Sequence, residues 1–127
     1  MKIVQLMITA MMLLIAITGC RKSPEASITA NKTTAAVNET ITVTSTSKNA
    51  NTYSWIIFDG NSTSGVSSSS HVVKVSGGDA CDNTYSFKID QAGNYTLRFV
   101  AYYYKGGCSA INSSGYSDGT TLAITIQ

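Results

Sequence analysis

The chain has 127 residues, with nine Lys or Arg against seven Asp or Glu and a formal net charge of +2. Its only basic cluster is Arg21-Lys22, which gives no support for a nucleic-acid partner. The length suits one domain with a modest core, and the abundance of Ser and Thr is typical of an exported β-protein rather than a charged helical one.

The first 19 residues have the features of a signal peptide. Lys2 precedes an uncharged, largely apolar run over residues 3–19, which is long enough for a signal peptide but short for a membrane span. Residues 17–20 read ITGC and resemble the bacterial lipobox, in which a Cys is lipidated and becomes the new N-terminus. We therefore predict that Cys20 carries a lipid. An ordinary secretory signal, or an anchoring helix with an incidental Cys, is the alternative.

This interpretation divides the chain into a signal peptide at 1–19, a lipidated Cys with a tether at 20–25, and a domain at 26–127. The lipid makes a membrane one partner of the protein. Arg21 follows the Cys, whereas Asp at this position is associated with inner-membrane retention in some bacteria. We therefore expect the cell envelope and its outer membrane, with the side of the membrane left open.

Short segments with alternating apolar residues predict seven strands in the mature chain. In residues 40–44 every side chain is β-branched, and Ile41 and Val43 share one face. Gly106 begins a polar loop that is expected to reach Gly119. The mature chain has no convincing helical period, so the pattern favours an all-β antiparallel sandwich. The predicted strands are residues 26–30, 40–44, 53–58, 71–75, 85–89, 95–104 and 122–126.

Three residues are expected to form the structural core. Trp55 lies on a central strand and offers the largest apolar area, and Leu97 lies on the inward face of the longest predicted strand. Tyr95 follows the turn at Gly93 and is placed like a tyrosine corner, whose hydroxyl bonds back to the backbone near the turn.

Two cysteines remain once Cys20 is assigned to the lipid. Cys81 and Cys108 form an even pair in an exported chain, which predicts a disulfide. A metal site is the alternative, but a second pair of ligands is missing because the only His, His71, stands alone.

Three segments carry a recognisable set of motifs. Residues 53–60 read YSWIIFDG, residues 92–97 read AGNYTL, and residues 37–43 read VNETITV. In order and spacing they resemble the Y-x-W-D-F-G-D-G, A-G-x-Y-x-V and V-x-x-G-E-x-V-x-F segments of PKD repeats, the Ig-like β-sandwich domains of bacterial surface proteins. The resemblance implies a seven-stranded Ig-like sandwich over residues 26–127. It also implies that the two cysteine-bearing loops lie at one end of the sandwich, on opposite sheets.

The chain departs from the PKD pattern at two positions. Ile56 stands where the family usually has Asp and Phe58 where it usually has Gly, and alternation places both on the face away from Trp55. The outward face of this sheet is then expected to carry Ile56, Phe58, Arg98, Val100, Tyr102 and Tyr104. Aromatic rings with an Arg suit a polysaccharide or a protein partner. Coverage by a loop, or scattered apolar surface residues, are the alternatives.

Catalytic chemistry has little support in the sequence. His71 has no nucleophile motif nearby and is expected on the surface of an edge strand. Asp79 and Asp82 lack the regular spacing of calcium ligands, so we expect neither a metal nor a cofactor. The predicted function is that of a non-catalytic lipoprotein for adhesion, or for carbohydrate or protein binding. The alternative is a structural or accessory subunit that packs on another envelope complex.

Overall fold

The computed structural model describes residues 23–60, 68–108 and 115–127, which form β-strands and no α-helix. The strands are β1 (Ile28–Ala30), β2 (Thr34–Ala35), β3 (Ile41–Ser45), β4 (Thr52–Asp59), β5 (Val72–Gly77), β6 (Thr84–Ile89), β7 (Gly93–Tyr103) and β8 (Tyr116–Ile126). They form two four-stranded sheets, with the orders β1-β3-β6-β5 and β2-β8-β7-β4. Pairing is antiparallel throughout except between β2 and β8, which run parallel. No helix in these three ranges is long and apolar enough to cross a membrane.

The all-β prediction is confirmed, and each of the seven predicted strands has a counterpart with shifted ends. β2 is an additional strand of two residues, too short to leave a pattern in the sequence. The prediction of a polar loop up to Gly119 was wrong, because β8 already begins at Tyr116. Its first half is polar and mostly exposed, and it is held by a continuous ladder with β7 that starts at the pair Tyr103 and Tyr116.

Inward-facing side chains from both sheets form one hydrophobic core. The largest fully buried side chains are Phe87, Phe99, Ile41, Ile57, Ile89, Leu97, Ile124 and Val43. Burial of each such side chain stabilises the fold by roughly 1.5–3 kcal/mol. Because strands of both sheets contribute to this single cluster, the two sheets pack face to face.

Trp55 packs at the margin of this core. Its ring centroid lies 4.4 Å from that of Phe99 and 6.1 Å from that of Tyr85. The residue as a whole is half-buried, whereas Phe99 is fully buried. Trp55 therefore contributes its apolar area at the edge of the core. Phe87 and Phe99 are the large aromatic side chains that are fully buried in it.

The strand directions define two ends of the sandwich. One end, which we call the disulfide end, holds the β3–β4 and β5–β6 connections, the last residues of β7 and the first residues of β8. The opposite end holds the β6–β7 turn and the last residues of β8.

The chain enters the fold at the disulfide end. Glu25 and Lys48 form an isolated antiparallel bridge with backbone hydrogen bonds of 3.0 and 3.1 Å. Pro24 is buried, and Asn49 Nδ2 donates to Ser23 O over 3.3 Å. Of the residues expected to form the tether, 23–25 thus contact the folded body.

Candidate binding surface

The outer face of the β4-β7-β8 sheet brings together most of the residues expected to bind a ligand. Ile56 on β4 pairs with Arg98 on β7, and Val100 and Tyr102 follow Arg98 on the same face. Val100 in turn pairs with Gly119 on β8. Arg98 is exposed, whereas Ile56, Val100 and Tyr102 are half-buried.

The expectation that Phe58 belongs to this surface is wrong, because its side chain is only 3 % exposed. At this level the chain returns beside β4, where Ser69 N donates to Ile57 O over 2.7 Å. Alternation along a strand identifies the face on which a side chain lies but not what covers that face. Phe58 therefore cannot contribute to a binding surface that includes Arg98.

A depression of about 560 Å³ opens over β7 and β8 on this face. A Cβ atom at Gly119 would lie 3.3 Å from Phe99 O and 3.7 Å from Val100 Cγ2. The absence of a side chain at Gly119 therefore leaves the flank of Val100 open. The lining residues are Arg98, Val100, Ser117, Asp118, Gly119, Thr120 and Thr121.

The polar groups around the depression suit a hydroxyl-rich ligand. Arg98 takes part in none of the ion pairs found in the described part of the chain. Its guanidinium offers up to five donors, and the hydroxyls of Ser117 and Thr121 both donate and accept. A fixed positive charge, hydroxyls and an apolar patch thus lie within one shallow site.

Two tyrosines border the site toward the disulfide end. The rings of Tyr102 and Tyr104 are stacked, with centroids 5.7 Å apart and an interplanar angle of 13°. Asn51 fixes this pair: its Nδ2 donates to Tyr104 O over 2.7 Å, and Tyr104 N donates to its Oδ1 over 3.0 Å. Asn51 N also donates to Tyr102 O over 2.9 Å. The sequence did not single out Asn51, because nothing local indicates a contact 53 residues away.

Cys81 and Cys108 form a disulfide, with their Cα atoms 5.3 Å apart. Cys81 precedes β6 in one sheet, and Cys108 follows β7 in the other. The bridge therefore joins the two sheets at one end of the sandwich. Close to it, Tyr53 N on the edge of β4 donates to Ala80 O over 2.8 Å.

A cluster of polar side chains lies at the opposite end. His71 Nδ1 pairs with Asp90 Oδ1 over 2.9 Å, and the hydroxyl of Ser69 donates to Asp59. Tyr95 OH donates to Gln91 O over 2.9 Å, the contact expected of a tyrosine corner. Burial raises the pKa of the Tyr95 phenol, and the charges of Asp59 and Asp90 raise it further. These groups tie turns together, and the Ser69 hydroxyl donates to the Asp59 carboxylate and not to the His71 imidazole, which pairs with Asp90.

The carboxylates considered for calcium have other partners. Asp79 Oδ1 accepts from Lys74 Nζ over 3.0 Å, and Asp82 Oδ2 accepts from Asp79 N over 3.4 Å. Within residues 23–60, 68–108 and 115–127, no group of three or more His, Cys, Asp or Glu side chains is placed to hold a metal ion.

The position expected to carry lipid, Cys20, lies outside the described residues. Comparisons of the chain with protein-family models, with curated proteins and with solved structures give no match.

Proposed function

We propose that this chain is a lipid-anchored protein of the bacterial cell envelope with one PKD-like, Ig-type sandwich, and that it binds polysaccharide without catalysis. The depression at Gly119 is the observation that supports a polysaccharide ligand. Exposed Arg98 lies there beside hydroxyl groups and near the stacked rings of Tyr102 and Tyr104. The outer membrane is the proposed location, with Cys20 as the lipidated residue.

The strand order supports the Ig-type assignment. In Ig-type sandwiches of the constant type, strands A, B, E and D form one sheet and strands C, F and G the other. Here the orders β1-β3-β6-β5 and β8-β7-β4 follow that arrangement, and the short β2 adds to the second sheet. Trp55 on β4 and the tyrosine corner of Tyr95, near the start of β7, are further features of Ig-type sandwiches.

The chemistry of the surface supports a carbohydrate. Sugar rings present hydroxyls that need donors and acceptors, and C–H faces that pack on aromatic or aliphatic groups. Arg98 and the hydroxyls of Ser117 and Thr121 meet the first need, and Val100 with Tyr102 meets the second. Tyrosine is well suited to this role, since it offers a large contact area at low conformational-entropy cost.

A glycan array with the soluble domain, residues 23–127, tests the ligand. The best glycan is then titrated against Arg98→Ala and Gly119→Thr, the second of which fills the depression. We expect both to bind at least about tenfold more weakly, which corresponds to about 1.4 kcal/mol. Val73→Ser, an exposed change on the other sheet, is the matched control and should bind normally. A blank array, or unchanged affinity in both variants with normal urea unfolding, contradicts the proposal.

The anchor is tested separately by mass spectrometry of the N-terminal peptide from purified membranes. The proposal requires a diacylglyceryl-type mass increment on Cys20 and loss of membrane partition in Cys20→Ser. A mature chain with an unmodified thiol at this position contradicts the anchor without affecting the glycan result.

A second function, that of an accessory subunit packed on another envelope protein, is favoured by the edge of β8. Among the described residues, β2 covers only the end of this edge, through the pairs Thr34 with Thr125 and Ala35 with Ile126. Thr125 N donates to Thr33 O, away from β7, so alternation directs the N–H of Thr121 to the same edge. An edge with free backbone groups is a template for addition of a partner strand.

Thr121→Pro removes one edge donor while leaving the ladder with β7 intact, and Thr121→Ser keeps it. Co-purification of one protein from membranes that is lost in Thr121→Pro and kept in Thr121→Ser, together with a blank glycan array, favours the accessory role. Equal co-purification by both variants excludes strand addition at this edge.

A further inference from the structure

The first described residues fix where an N-terminal anchor meets the body of the protein. Ser23 O accepts a hydrogen bond from Asn49 Nδ2, and two residues later the Glu25–Lys48 bridge fixes the chain again. Asn51 lies two residues after Asn49, and its side chain forms hydrogen bonds with both the N–H and the C=O of Tyr104. The anchor therefore joins the sandwich at the disulfide end, beside the last residues of β7.

The length of chain outside the fold limits how far this end lies from a lipid on Cys20. Three residue steps separate Cys20 from Ser23, and three extended residues span at most about 11 Å. The headgroup layer on each side of a bilayer is about 5–8 Å thick, from the difference between total and hydrocarbon thickness. A lipid seated in the bilayer thus holds Ser23, at the disulfide end, within the headgroup layer or at most about 6 Å beyond it.

Two exposed tyrosine side chains at the disulfide end are suited to the membrane–water interface. The inward series of β7 passes the last buried residue, Ala101, and continues to Tyr103, which pairs with Tyr116 of β8. Tyr103 is 39 % exposed and Tyr116 49 % exposed, although both are large and partly apolar. Tyr is enriched at membrane–water interfaces because its ring is apolar and its hydroxyl is polar.

Charge alone does not select this end. Lys48 and Lys105 are exposed there and can reach lipid phosphates through their flexible stems. Glu25, however, lies 4.0 Å from Lys48 Nζ, and Asp79, Asp82 and Asp118 lie at the same end, so carboxylates offset the charge of these lysines. The exposed aromatic rings and the short connection to Cys20 thus distinguish this end from the opposite one.

We propose that the disulfide end lies in the headgroup layer of the membrane, with Tyr103 and Tyr116 in contact with lipid. This inference rests on the proposed lipidation of Cys20 and adds an orientation to it. The strands of both sheets then run away from the membrane surface. The opposite end of the sandwich, with His71 and Asp90, lies farthest from the membrane.

The test places one tryptophan at each end of the lipidated full-length protein. Tyr116→Trp reports the disulfide end, and Val37→Trp reports the opposite end, where Val37 is exposed and its N–H donates to Gln127 O. Each variant is reconstituted into phosphatidylcholine vesicles that carry a nitroxide on a fraction of the headgroups, and the signal of the wild type, from Trp55, is subtracted. Tyr103→Trp is a second reporter if Tyr116→Trp fails to fold.

We expect headgroup nitroxides to quench the tryptophan at the disulfide end at least twofold more than the one at the opposite end. Equal quenching, or stronger quenching of Val37→Trp, overturns the orientation while lipid on Cys20, seen by mass spectrometry, leaves the anchor intact. An unmodified Cys20 overturns both.

Discussion

The hydroxyl of Tyr95 is the clearest case in this protein of one atom fixing a turn. It donates to Gln91 O, four residues earlier, while the ring is buried in the core. Because the neutral phenol is favoured there, its pKa lies above the ordinary value of 10.0. The folded state therefore keeps this proton in a range where the unfolded chain has begun to release it.

Tyr95→Phe removes the hydrogen bond without changing the ring. We expect the free energy of unfolding to fall by about 1 kcal/mol at pH 7, the usual net value of such a bond. Above pH of about 10 the wild type should lose stability, since unfolding then lets Tyr95 ionise, and the gap to the variant should narrow. Urea unfolding at pH 7 and pH 10.5 measures both effects.

Tyr116→Phe is the matched control for this prediction, because Tyr116 is exposed and no hydrogen bond of its hydroxyl is found among the described residues. It should unfold like the wild type at pH 7. A Tyr95→Phe variant as stable as the wild type would show that the bond to Gln91 contributes nothing measurable.

At the scale of elements, the disulfide links the β5–β6 connection of one sheet to the chain after β7 of the other. Cys81 and Cys108 are separated by 27 residues. In the chain-entropy model, closing a loop of this size stabilises the folded state by about 3.5 kcal/mol. We expect the double variant Cys81→Ala/Cys108→Ala to lose stability of this order.

Reduction provides an independent check on the same number. Wild-type protein in excess dithiothreitol should unfold at the urea concentration of the double variant, and dithiothreitol should leave the double variant unchanged. If reduction has no effect on the wild type, the two cysteines are not joined in solution.

The elements that alternate clearly were predictable from the sequence, and those held by other forces were not. Residues 40–44 predicted β3 because Ile41 and Val43 are buried by the sheet opposite. β2 has only two residues, too few for a pattern although Ala35 is buried, and the first half of β8 left no hydropathy signal because it is exposed and held by backbone pairing. Even for β4 the pattern gave the faces but not the coverage of Phe58.

The candidate site was predictable to a similar extent. Arg98 and Tyr102 were placed on one outward face by alternation along a long strand, and the structure has them there. The depression depends on Gly119, which was predicted to end a loop. The pairing of Gly119 with Val100 could therefore not be predicted from the hydropathy pattern. Side-chain bonds across long separations, such as those of Asn51, are likewise invisible to a local reading.

At the scale of the whole molecule, the fold starts earlier than the strand pattern indicated. Glu25 bonds twice to Lys48 through its backbone, and Ala26 N donates to Asp118 Oδ2 over 2.8 Å. The N-terminal segment thereby contacts both the β3–β4 connection and β8.

A domain that starts at residue 27 loses these three hydrogen bonds and the buried Pro24. We expect it to be less stable than residues 23–127 by about 2–3 kcal/mol, at roughly 1 kcal/mol for each bond. Thermal or urea unfolding of the two domains measures the difference.

Glu25→Ala within residues 23–127 separates the backbone bonds from the side-chain charge. Its exposed carboxylate lies 4.0 Å from Lys48 Nζ, so this change should have little effect. Equal stability of the long and short domains would mean that residues 23–26 lie against the body without stabilising it.

The short strands at the start of the chain acquire a mechanical meaning in an anchored molecule. In the proposed anchored state, a ligand that pulls on Arg98 against a lipid on Cys20 would load first the Glu25–Lys48 bridge and then the pairing of β1 with β3 and of β2 with β8, nearly along the strand axes. The hydrogen bonds between strands lie across that direction, so those of one strand must break together and not one after another. The three residues of β1 and the two of β2 would then resist the pull in shear, so the shortest strands of the fold would set how much tension the N-terminal attachment withstands.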